Sequence, residues 1–90
     1  MDEVLRQKYR ASFTDKVNQL NTALAENNRQ VLMQKVHQLA GSSGSYGFDE
    51  LATCCAHIEE QLMNSKLSDT QLHDLLQPLL EMMTQLSAAK

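Results

Sequence analysis

The chain has 90 residues, of which 42% are hydrophobic and 21% charged, and a net charge of -3. That length holds one modest core and excludes a two-domain enzyme. The composition excludes a disordered chain, and the acidic balance gives no electrostatic reason to expect nucleic acid or anionic lipid as a partner.

No apolar run approaches the roughly 20 residues that a membrane-crossing helix needs, and the N-terminus MDEVLRQKYR is too charged for a secretory signal. The expected location is therefore the cytoplasm, with no membrane contact. Cys54 and Cys55 are adjacent, which suits neither a disulfide framework nor a structural zinc site, so reduced thiols are expected.

Apolar residues recur at spacings of three and four, and the chain has a single proline, so the reading is all-α. Leu5, Tyr9, Phe13, Val17, Leu20 and Leu24 form one stripe and predict a first helix over about 2–26. Asn27 and Asn28 supply a break and a cap. A second helix over about 29–45 carries Leu32, Val36, Leu39 and Ser43 inward and ends at SGSYG, with Gly47 as a left-handed cap. The third helix, over about 49–64, buries Leu51, Cys55, Ile58 and Leu62. Ser68 opens the fourth, over about 69–87, whose Leu72, Leu76, Leu79, Met83 and Leu86 make a seam. Pro78 lies inside that seam and is expected to kink or split the helix. The simplest packing is an antiparallel up-down-up-down four-helix bundle, a single domain over 1–90.

The stretch HQLAGSSGSYGF holds all three glycines of the chain, at four, seven and ten residues after His37. At 100° per residue, His37 lies about 130° from the middle of the buried face of its helix, at the edge of the core and facing solvent. Gly41 and Gly44 fall within about 40° of it and Ala40 about 60° away. Each glycine inside a helix costs about 0.5–1 kcal/mol relative to alanine. What such a strip provides is access, because another protein's backbone can come close to the ring.

HQLAGSSGSYGFDEL resembles the signature of the histidine-containing phosphotransfer domain, the HPt module of bacterial multistep phosphorelays. The flanking ALAENN and LATCCAHIEEQL are also similar to this family. The resemblance implies a histidine phosphocarrier that accepts a phosphoryl group on His37 from a receiver-domain aspartate and passes it to, or takes it from, another receiver. The implied partners are receiver domains and a sensor histidine kinase, with magnesium on the receiver and no cofactor in this chain; a monomer is expected. By resemblance the close-approach glycine is Gly41, and Glu59, twenty-two residues after the histidine, orients the ring. The wheel agrees, because Glu59 lies between Cys55 and Leu62 on the inward side of its helix, an unusual place for an unpartnered carboxylate.

Many members of that family carry lysine three residues after the histidine, where this chain has Ala40. Lys35 points about 160° away from His37 and does not replace it, which leaves Gln34 and Gln38 as nearby polar groups. For docking, the candidates are Leu32, Met33, Val36 and Ala40 on one flank, Gln34, Gln38, Gly41 and Gly44 along the strip, and Tyr46 at the helix end; Met33 is expected to be exposed. No Gly-rich phosphate loop or acidic metal cluster is present, so the module is not expected to act as an autonomous kinase. An inactive bundle that docks a receiver without transfer is the alternative reading, and a helical adaptor unrelated to phosphorelays the third. His57 and His73 read as solvated. Cys54 and His57 offer two metal donors without a third, and Met82 and Met83 read as packing residues.

Overall fold

The computed structural model describes residues 2–64 and 66–88. It holds five helices, α1 (Glu3–Ala11), α2 (Phe13–Ala25), α3 (Arg29–Ser45), α4 (Asp49–Leu62) and α5 (Asp69–Ala88), and no strand among the described residues. The four longer helices close a ring, α2 on α3, α3 on α4, α4 on α5 and α5 on α2, and α1 leans on α2 and α5. Inside the ring lie Phe13, Leu20, Leu24, Leu32, Val36, Leu39, Leu51, Cys55, Ile58, Leu72, Leu76, Leu79 and Met83, all buried.

Local chemistry sets most of the boundaries. Asn27 takes a left-handed φ of 51°, and the amide of Asn28 returns to the Ala23 carbonyl at 2.8 Å, closing α2. Asn28 then caps α3, its side chain accepting from the Val31 amide at 3.2 Å. Gly47, with φ of 82°, ends α3 in the same manner, and the amide of Phe48 reaches the Ser43 carbonyl at 2.8 Å. Ser68 and Gln71 exchange side-chain bonds to each other's amides, a capping box that opens α5.

Two expectations are corrected and a third is narrowed. The single first helix is two, divided at Ser12, whose hydroxyl donates to the Tyr9 carbonyl at 2.6 Å and competes for the helical acceptor there. α1 buries no residue, and Leu5 is 47% exposed rather than part of the inward stripe. Pro78 does not split the last helix, since α5 continues through it. Both Pro78 and Asp74, whose carbonyl loses its amide donor, are exposed, so water can satisfy the freed group.

Candidate functional site

α3 holds His37 on the side that faces α4, with its side chain 74% exposed. One turn of α4 brings Glu59 against it: Nδ1–H of His37 donates to Oε2 of Glu59 at 2.5 Å. Glu59 is only 21% exposed, because Cys55 and Ile58, buried in the same helix, turn this side of α4 toward the core. A half-buried carboxylate needs a partner, and the imidazole supplies it. With Nδ1 committed as donor, the lone pair of the neutral ring sits on Nε2, which has no hydrogen-bond partner among the described residues. The arrangement can take up an electrophile at Nε2 while the carboxylate steadies the positive charge that develops on the ring.

The surface beyond the ring is bare. A Cβ built on Gly41 meets nothing within 4 Å, and one on Gly44 meets only the Ala52 methyl at 3.9 Å. Neither glycine is required by packing within the chain, and both are exposed, so the strip is open toward solvent. Gln34 and Gln38 are exposed beside it and Ala40 is half-buried.

Other candidates for the docking surface are placed differently from expectation. Leu32 and Val36 are fully buried and belong to the core, and Met33 is half-buried rather than exposed. Leu32 and Val36 keep the inward face their spacing predicts, and for Met33 the cause is the close packing of α4 along α3, which covers the edge that a lone wheel leaves open. Tyr46 is half-buried, its ring stacked on Tyr9 at 4.4 Å with an interplanar angle of 4°. Among the described residues no three metal-ligating side chains gather, and no helix is long and apolar enough to cross a membrane. His57 is exposed and His73 half-buried.

Sequence reasoning missed the residues that hold the far end of α3. Tyr9 in α1 bonds through its hydroxyl to Ser42 Oγ at 2.5 Å and to Ser43 Oγ at 3.1 Å, and its ring meets Phe13 edge-on at 5.3 Å. Arg6 lies 4.2 Å over the Phe48 ring and donates from Nε to the Tyr46 carbonyl at 3.2 Å. This aromatic cluster anchors the glycine-containing end of the histidine helix to α1. The one usable signal was Ser43, a hydroxyl on the inward face of α3, which demands a partner from another element.

The two cysteines are acid-base silent near neutrality. Burial, reinforced by the charges of Cys54 and Glu59, pushes the Cys55 thiol up to about 12, and burial raises Cys54 as well.

Residues 4–89 match the Hpt domain family, nearly the whole chain, and the chain belongs to that family. The family's business is histidine phosphotransfer in phosphorelays, with receiver and kinase domains as partners. No curated protein and no solved structure matches the chain.

Proposed function

We propose that this chain is a phosphocarrier that works through His37, receiving a phosphoryl group from a receiver-domain aspartate and delivering it to, or drawing it from, a second receiver. The observation that carries the reading is the 2.5 Å bond from His37 Nδ1 to a half-buried Glu59, beside an otherwise exposed ring. In the forward step Nε2 attacks phosphorus in line with the acyl-phosphate oxygen. The N–P bond forms as the P–O bond breaks, and the receiver carboxylate departs with the electron pair. The ring, still carrying its Nδ1 proton, becomes cationic, and Glu59 offsets that charge without moving. Magnesium belongs to the receiver in this scheme, where it neutralises the phosphoryl oxygens.

The fold suits the task as an antiparallel up-down-up-down bundle in which α3 presents the histidine, acting as a monomer in the bacterial cytoplasm. Gly41 and Gly44 admit the partner backbone, with Met33, Gln34, Gln38, Ala40 and Tyr46 around them. Ala40 leaves the phosphoryl group without a lysine from this chain, so the phosphohistidine depends for charge neutralisation on water and on the partner.

The test is transfer of label from phosphorylated receiver domains to the parent and to His37→Ala. Label that is lost in acid and kept in alkali, present on the parent and missing from the variant, is the expected result. Receivers that bind the parent yet never label it would establish a docking module instead.

A further inference from the structure

His37 occupies one flank of α3, against α4. The opposite flank faces α2, and there Lys35, Gln38 and Ser42 border a cleft of about 280 Å³ whose other wall carries Lys16 and Asp15 and whose floor is formed by Leu20 and Leu39. The centre of this flank lies about 130° around the helix from His37. The cleft is therefore not the place where the phosphoryl group rests.

Both lysines are half-buried, their stems lying along the cleft. Lys16 is held in place, with Nζ donating to Ser12 Oγ at 2.8 Å while the Ser12 hydroxyl itself bonds the Tyr9 carbonyl. Lys35 has no hydrogen-bond partner among the described residues. The ion pairs among those residues are Arg29–Asp69 and His37–Glu59, so neither lysine is matched to a carboxylate within 4.0 Å, although Asp15 stands in the same cleft and Glu26 further along the groove. Within the cleft itself two lysines face one carboxylate, Asp15.

Across the histidine helix the sign reverses. α3 itself carries no acidic residue, whereas α4 brings Glu59 to the far side, against His37. A partner laid over the glycine strip thus meets a lysine-lined cleft on one edge and the His37–Glu59 pair on the other. A helix is about 10–12 Å across, and a standard interface of about 800 Å² per partner covers both edges at once.

We infer that the α2–α3 cleft is a second docking point, which receives an Asp or Glu side chain from the surface of the receiver domain seated over His37. This rests on the phosphocarrier reading for the identity of the partner. One point of contact at the phosphoryl group leaves the receiver free to turn about the line joining His37 and phosphorus. A carboxylate held between Lys16 and Lys35 removes that freedom and selects receivers with an acidic residue at the matching place. Charge at such a rim acts mainly on the rate of encounter and on its salt dependence.

The experiment measures affinity and association rate between the full chain and a panel of purified receiver domains, for the parent, Lys16→Gln/Lys35→Gln and Lys16→Arg/Lys35→Arg. For a receiver that binds the parent, the expected result is a loss of about three- to tenfold in the glutamine variant at low salt, shrinking toward none at about 0.5 M salt, with the arginine variant close to the parent. Equal affinity and an equal salt slope for parent and glutamine variant would overturn the inference. Loss of self-association, read by sedimentation, without loss of receiver affinity would assign the cleft to a second copy and overturn it too. Because binding is measured apart from label transfer, a parent that binds receivers and never accepts label would sink the phosphocarrier reading while the cleft is still decided by the lysine variants.

Discussion

At the scale of single residues, the exposed ring and the two open glycines make opposing demands on stability and function. Gly41 has φ in the helical range and free space where a methyl would go. Gly41→Ala should therefore stabilise the fold by about 0.5–1 kcal/mol, the helix propensity difference. The same methyl stands on the strip where the partner backbone approaches, so the rate of phosphoryl transfer should fall. Urea denaturation beside transfer kinetics checks both, and a more stable variant with unchanged transfer would remove the access argument. Cys55 gives a separate prediction. Its thiol is neutral below the ordinary value of 9.0 in folded and unfolded chains alike, and above that only the unfolded chain ionises until about 12. Stability should be flat below pH 9 and then fall as pH rises, by at most about 1.4 kcal/mol per unit for this group. Unfolding midpoints between pH 7 and 11 would show the slope, and Cys55→Ala should reduce it, leaving the contribution of Cys54, whose thiol burial also raises.

At the scale of elements, α1 is the part whose role differs most from its appearance in the sequence. It adds no buried residue to the core, yet Tyr9 supplies the hydrogen bond to Ser43, which is 0% exposed, and stacks on Tyr46 at the close of α3. A helix carrying two glycines near its end needs such an outside hold, because its own propensity there is weak. Tyr9→Phe keeps the stacking and strands the buried hydroxyl, at a cost of about 1–3 kcal/mol. Adding Ser43→Ala removes the stranded group, so the double variant should recover much of the loss in thermal denaturation; a double variant no better than the single would show that the hydroxyl pair contributes little. α5 teaches the reverse lesson. Pro78 is tolerated in mid-helix because it faces solvent, where its missing amide and the freed carbonyl are both hydrated.

At the scale of the whole molecule, the proposed docking face rests on how the charge is distributed. The lysine-lined cleft between α2 and α3 and Glu59 of α4 flank the strip, and the exposed large apolar residues among those described stand elsewhere: Val4 and Leu5 on α1, Met63 past the end of α4. Nothing so scattered supports the core of an obligate dimer, which needs a contiguous apolar face. Sedimentation equilibrium is expected to return the monomer mass of 10.1 kDa, and a dimer at micromolar concentration would contradict this.

Helix content, the caps at Asn28 and Gly47, the seam of α5 and the placement of His37 beside Gly41 and Gly44 were all legible in the sequence. Each depends on φ, ψ preferences and on spacings of three and four within one segment, and such information is local. Glu59 was legible in part: the wheel put a carboxylate on an inward face, and the resemblance suggested its partner. Only the tertiary structure decided the 2.5 Å contact across twenty-two residues, the half-burial of Met33, the exposure of Leu5, the reach of Tyr9 into Ser42 and Ser43, and the cleft that sets Lys16 opposite Lys35. Those features arise where two helices meet, and which faces meet is set by the packing of the whole core rather than by any one segment.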